Sequence, residues 1–172
     1  SLYGGFVRED ESLKEAANRV LFQCTGIKNP YMRQVGAFGE IDRDPGDRVI
    51  SIAYCALINA PDYDHQAMEK NDLQWLELDH LEDLYGDHQK MVQLALEQLR
   101  KLLNNTPISF SLLPKLFTLT QLQNVHEAIL GAEIDKRNFR KRIKQVDFIE
   151  QTNLIDKITS KRGAILYRFN KQ

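Results

Sequence analysis

Between Asp135 and Val146 the chain reads Asp-Lys-Arg-Asn-Phe-Arg-Lys-Arg-Ile-Lys-Gln-Val, and few folds can accommodate that order. At 3.6 residues per turn Phe139, Ile143 and Val146 fall on one face, at i, i+4 and i+7, while Arg137, Arg140, Lys141 and Lys144 gather opposite. Such a segment lays its apolar stripe on a core and leaves the other face to solvent or to something anionic. A charge run taken alone is as often solvated surface as a binding surface, so the neighbouring sequence decides.

Upstream, Thr118-Leu119-Thr120-Gln121-Leu122-Gln123 holds two overlapping Thr-x-x-Gln capping boxes. They start a helix whose apolar stripe is Leu122, Val125 and Ile129, ending at Leu130-Gly131. A short turn, Gly131 to Ile134, leads to Asp135, a good N-cap for the basic helix. Helix, short turn containing Gly, basic helix is the helix-turn-helix order. Downstream, a strand starts at Phe148-Ile149, a basic stretch runs from Lys157 to Arg162, and Ala164 to Phe169 forms a returning strand. The hairpin tip carries Ser160, Lys161, Arg162 and Gly163, within reach of a phosphate backbone or minor groove. The outline is a winged helix-turn-helix. The expected DNA-contacting residues are Lys136, Arg137, Asn138, Arg140, Lys141 and Lys144 on the helix, with Lys161 and Arg162 on the hairpin. Arginine can bind guanine and asparagine adenine through paired hydrogen bonds.

Charge is distributed to match. Residues 107–172 hold 12 Lys/Arg against 6 Asp/Glu, a net +6, whereas residues 1–106 hold 11 against 18, a net −7. An anionic partner is therefore expected for the second half only. The breaker Asn104-Asn105-Thr106-Pro107 marks the boundary, giving an effector domain over 1–106 and a DNA-binding domain over 107–172. With 172 residues and 42% hydrophobic content the chain can bury two modest cores. Cys24 and Cys55 show neither disulfide nor metal-ligand spacing, which points to a reduced, cytoplasmic setting. No apolar run approaches the ~18 residues of a membrane span, and no metal or cofactor motif stands out. The opening Ser1-Leu2-Tyr3-Gly4-Gly5 reads as the end of a strand, so N-terminal strands are expected to precede it.

The first half reads as α/β. Asp10 or Ser12 caps a helix through Leu13, Ala16, Ala17, Val20, Leu21 and Cys24, stopped by Thr25-Gly26. Strand-like segments follow at Met32 to Phe38 and Val49 to Ile58, the second alternating so poorly that burial on both faces is expected. A further strand is expected at Asp72 to Leu76, around Trp75, and a second helix at Gln89 to Leu103 with Met91, Leu94, Ala95, Leu99 and Leu102 apolar. In the connecting loop Asp42, Arg43, Asp44 and Arg48 can line a polar pocket or stand as solvated surface. His80, Asp87 and His88 lack a third partner at metal spacing and read as capping and surface residues.

Gly5 to Ile27 resembles the Nudix box, G-x5-E-x7-R-E-U-x-E-E-x-G-U with U apolar: Gly5, Glu11, Arg19, Leu21, Gly26 and Ile27 stand at the required positions. The resemblance implies a Nudix-like α/β/α sandwich. It departs at Val20, Gln23 and Cys24, where the family has the glutamates that hold divalent metals. An aliphatic group, an amide and a thiol do not replace hard carboxylate oxygens, so the resemblance implies a scaffold without pyrophosphatase chemistry, without catalytic residues and without a metal.

A Nudix-like half followed by this helix pair is similar to the Nudix-related transcriptional regulators. Members of that family respond to ADP-ribose and control NAD metabolism, or respond to arabinose or another pentose. The run Val35 to Arg48 resembles the pentose-responsive branch more. The expectation is therefore a DNA-binding regulator, acting as a homodimer on a palindromic operator, whose inactive Nudix-like domain senses a small effector such as a pentose. Alternatives are an ADP-ribose-responsive regulator and a residual Nudix pyrophosphohydrolase.

Overall fold

The computed structural model describes residues 1–28, 30–58, 65–78, 81, 84–103, 108–158 and 162–170. The chain divides into two compact units, Ser1–Gln98 and Leu99–Gln172. The breaker at 104–107 lies outside the described residues.

In the first unit, helix α1 (Leu13–Thr25) starts where Ser12 and Glu15 cap it reciprocally. The Glu15 amide donates to Ser12 Oγ at 3.3 Å and the Ser12 amide to Glu15 Oε2 at 2.8 Å. It stops at Gly26, whose φ of 71° is a left-handed conformation that glycine adopts without strain. Strands β1 (Tyr31–Phe38) and β2 (Ser51–Leu57) form an antiparallel ribbon. Between the pairs Gln34–Tyr54 and Gly36–Ala53, β1 has one extra residue, Val35. This bulge frees the Val35 carbonyl from the ladder, and Gln98 Nε2 donates to it at 2.8 Å. Gln98 lies on α3 (His88–Leu103), and the short α2 (His65–Lys70) packs on α1.

Two expectations are not met in this unit. Residues 51–56 are half-buried on both faces and only Leu57 is buried, and among the described residues β1 is the strand paired with β2. The segment Asp72 to Leu76 is not a strand. Asn71 and Asp72 close α2 as a turn, with the Leu73 amide donating to the Met68 carbonyl at 2.9 Å, and Asp72 takes a φ of 52°. Trp75 and Leu76 stay exposed. Their bulk imitates a strand, but the chain has just been turned out of a helix.

The second unit takes in the last turn of α3, where Leu99 and Leu103 are buried, then β3 (Phe117–Thr118), α4 (Leu119–Leu130), α5 (Lys136–Ile143), β4 (Ile149–Asp156) and β5 (Ala164–Phe169). Its sheet is antiparallel in the order β3-β5-β4. Phe117, Leu119, Leu122, Phe139 and Ile143 form the core, with Leu113, Ile134, Ile149, Tyr167 and Phe169 packed against it. A helix-turn-helix followed by a hairpin whose return strand pairs with a strand before the first helix is a winged helix. The hairpin and both helices stand where the sequence places them. The two-residue β3 is too short to show alternation and has no counterpart in the sequence reading.

Candidate nucleic-acid interface

The capping and turn bonds that lead into α5 are local. Thr118 caps α4, its hydroxyl accepting from the Gln121 amide at 3.2 Å while the Thr118 amide donates to Gln121 Oε1 at 2.8 Å. At the other end Gly131, with φ 70°, ends the helix. The turn is then pinned by side chains. Glu127 Oε1 accepts from the Ile134 amide and from Gln123 Nε2, both at 2.9 Å, and Gln123 Nε2 also donates to the Ile134 carbonyl at 2.9 Å. These bonds, Gln123 first, hold the Glu127 carboxyl below its usual range. Asp135 Oδ1 accepts from the Asn138 amide at 2.8 Å and so starts α5.

Phe139, 1% exposed, and Ile143 face the core. The helix ends at Ile143, so Val146 packs half-buried from the turn that follows rather than as a third helical position. Lys136, Arg137, Asn138, Arg140, Lys141 and Lys144 are all exposed. Five of them, without Asn138, line one shallow depression together with Asp135. Lys136 and Arg137 occupy the first turn, where the helix dipole favours acids and disfavours cations by typically ~0.3–1 kcal/mol each. Fold stability does not call for cations at that end, whereas phosphate does. Arg142, also exposed, lies away from this face, its guanidinium 5.7 Å from the Phe139 ring centre.

On the hairpin Arg162 is exposed, and Ser160 and Lys161 lie outside the described residues. Gly163, at φ 78°, turns the chain into β5, and a Cβ there would stand 2.8 Å from Ile155 Cγ2. No larger residue fits that turn unstrained.

In the first unit Glu11 and Arg19, two of the residues that resemble the Nudix box, are bonded to each other. Arg19 donates through Nε to Glu11 Oε2 at 2.9 Å and through Nη2 to Glu11 Oε1 and, at 2.9 Å, to the Phe6 carbonyl. The Arg8 amide also donates to Glu11 Oε1, at 3.0 Å. Arg19 above all holds the Glu11 carboxyl down at about 2. Both Glu11 oxygens are thus occupied in strapping the 5–11 loop to α1. A Cβ on Gly5 would stand 2.8 Å from Val20 Cγ2, Cys24 is buried with its thiol donating to the Val20 carbonyl at 2.9 Å, and Gln23 is exposed. Burial pushes the Cys24 thiol up.

The four polar residues of the 42–48 loop differ in their engagement. Arg43 forms a two-bond pair with Asp87, 2.9 Å at each contact, and its side chain is only 6% exposed. Asp44 accepts from the Gly46 and Asp47 amides at 2.9 and 3.2 Å. Arg48 Nη1 donates to the Gly39 and Glu40 carbonyls at 2.8 and 3.2 Å, while Asp42 is exposed. Asp87 thus serves as the loop's anchor rather than as surface, and His88 Nδ1 accepts from the Leu2 amide at 3.0 Å. His80 lies outside the described residues. No helix among the described residues is long and apolar enough to cross a membrane.

Residues 109–169 match the NrtR DNA-binding winged helix domain. The chain is 39% identical to the ADPR responsive transcriptional repressor NtrR of Acinetobacter baylyi, over all of this chain and 70% of that protein. The chain belongs to the NrtR family of Nudix-related transcriptional regulators. Shewanella oneidensis NrtR, solved in complex with a 27mer DNA, is 31% identical with a TM-score of 0.80, covering 96% of this chain and 77% of that one. A MutT/nudix family protein from Enterococcus faecalis, 24% identical with a TM-score of 0.67, covers 98% and 74% and bears on the fold alone. An ADP-ribose pyrophosphatase from Methanocaldococcus jannaschii is 28% identical over 54% of each chain. This NrtR-family chain is accordingly a DNA-binding transcriptional regulator with a Nudix-like fold and a winged helix. The pentose reading, and sugar metabolism with it, finds no support in these relatives. The run Val35 to Arg48 that suggested it consists of a bulged strand and a loop bonded largely to itself and to Asp87, so its residues answer first to the fold.

Proposed function

We propose that this chain is an ADP-ribose-responsive repressor that does not hydrolyse its effector. The Nudix-like half binds the nucleotide, and the winged helix, paired in a cytoplasmic homodimer, holds a palindromic operator with its two recognition helices one DNA turn apart. One observation carries the DNA half of this reading: α5 keeps six polar side chains exposed over a buried Phe139, with cations even in its first turn. The effector half is supported by the 39% identical relative described as ADPR responsive, and the loss of hydrolysis by Val20, Gln23 and Cys24 at the metal-holding positions of the box.

Lys136, Arg137, Asn138, Arg140, Lys141 and Lys144 contact bases and phosphates, and Lys161 and Arg162 extend the contact from the hairpin. In the effector site Asp42 and Arg48 face the ligand, with Arg43 and Asp44 shaping the loop that carries them. The two roles divide between the two units, close to the 106/107 boundary read from the sequence.

The test starts from an operator duplex selected out of a random-sequence pool by the purified protein. Arg140→Ala is expected to weaken its binding by about 1–3 kcal/mol, the worth of a good bidentate base contact, with the thermal transition unchanged. Adding ADP-ribose releases the duplex from the unaltered protein, and arabinose does not. Magnesium-dependent release of a monophosphate from ADP-ribose, well above background, would overturn the non-hydrolytic reading.

A further inference from the structure

Ile129 lies in the last turn of α4, where backbone carbonyls have no partner within the helix. Its carbonyl is met from outside, by Arg100 Nε at 3.0 Å. The same guanidinium reaches the helix-ending glycine, for a Cβ on Gly131 would stand 3.5 Å from Nη2. Arg100 sits on α3, which runs from His88 to Leu103 with neither glycine nor proline to bend it. That helix begins one residue after Asp87, the acid that anchors Arg43 of the 42–48 loop. A single uninterrupted helix therefore follows directly from the loop's anchor and carries the side chain that holds the end of α4.

We infer that Arg100 is the positioning residue through which effector binding alters the placement of the recognition helix. This rests on the effector-responsive reading above and adds to it the side chain that transmits the response. Beyond Ile129 the turn has little freedom of its own, because Gln123 and Glu127 tie α4 directly to Ile134, the residue before the N-cap of α5. A shift of the α4 terminus is passed on to Asp135 rather than absorbed. An effector changes affinity only by favouring one of two states, and the Arg100–Ile129 bond is a contact whose strength can differ between them.

A residue that merely supports the fold changes operator affinity equally with and without effector. A coupling residue changes the ratio of the two. The full chain, unaltered and with Arg100→Ala, Arg100→Lys or Lys101→Ala, is titrated with operator duplex in the absence and presence of saturating ADP-ribose. The unaltered chain is expected to show a ratio of dissociation constants in the range of about 5 to 150 typical of allosteric coupling. Arg100→Ala brings that ratio to within about twofold of one, while ADP-ribose binding, followed by thermal shift, is retained. Arg100→Lys, which can still donate to the carbonyl, keeps a larger ratio than Arg100→Ala, and Lys101→Ala, which removes the adjacent charge, keeps the full one. Arg100 is an exposed position and alanine a strong helix former, so α3 itself tolerates the change. An Arg100→Ala ratio equal to that of the unaltered chain overturns the inference. So does complete loss of operator binding in both states, which would make Arg100 a support of the domain. No response to ADP-ribose by the unaltered chain overturns the effector reading itself and this inference with it.

Discussion

His126 carries the one buried side-chain polar atom left without a hydrogen-bond partner among the described residues, its Nδ1. The ring stands edge-on to Phe139 with centroids 5.2 Å apart, beneath the recognition helix. Burial, with a smaller contribution from Arg142, lowers its pKa from 6.5 to about 4. Between those values the unfolded chain takes up a proton that the folded chain refuses, so stability is complete above pH 6.5 and drains away as the pH falls toward 4. Glu11, held at about 2 by Arg19, keeps its stabilising effect down to pH 4.5 and loses it only as pH falls toward 2, largely below that window. The thermal midpoint of the winged helix is therefore expected to fall between pH 7 and 4.5, and His126→Leu to flatten the fall. An equal slope in the variant would assign it to other groups. The sequence reading did not see this histidine in the core. It took Val125 for the stripe, whereas the helix is rotated so that Leu119, Leu122, His126 and Ile129 point inward and Val125 is only half-buried. A residue type that is as often outside as inside leaves periodicity alone unable to choose.

At the scale of elements, helix starts and stops were the most legible feature, because they depend on residues three or four apart. Ser12, one of two candidate caps, and Gly26, Thr118 with Gln121, Gly131 and Asp135 act where the sequence places them, whereas the reciprocal Glu15 bond to Ser12 was not foreseen. Of the two overlapping Thr-x-x-Gln boxes the first is used, and Gln123, freed from capping, pins the turn instead. Thr118→Ala is expected to cost about 1 kcal/mol in urea denaturation through loss of the cap. A change below a few tenths would mean that the β3–β5 pairing sets the start of α4 without help. Sheet partners were less legible. The two residues of β3 acquire their role only from Tyr167 and Leu166 opposite them, and 72–76 lost its strand character to a turn made by residues before it. Both depend on contacts across the chain that no local pattern encodes.

At the scale of the molecule, the basic half of the sequence is the half that folds as the winged helix. Five exposed cations of the α5 segment line one depression, so the clustering of charge there was legible from spacing and count. The 42–48 loop was not, since charge says nothing of which groups are already bonded to Asp87 or to nearby backbone. A polyelectrolyte partner gives a sharp measure of how many cations engage. Arg162→Ala is expected to lower the slope of log affinity against log salt by about one unit, tracked by fluorescence anisotropy. An unchanged slope would take the hairpin out of the interface.

The hairpin has a further property in its register. Gln151 pairs with Tyr167, yet the next pair outward is Ile155 with Ile165, so β4 holds two more residues than β5 across that interval. Thr152 closes the excess by donating to the Leu166 carbonyl at 2.7 Å and accepting from the Leu154 amide at 3.2 Å. One surplus residue would have turned every outer side chain to the opposite face, whereas two preserve the alternation. Residues added in pairs between Gln151 and Ile155 would keep the same side chains facing Ile149 and Phe169 at the base of the hairpin. In a lineage of such domains, the outer part of the hairpin is free to change in length by twos while the core beneath it stays the same.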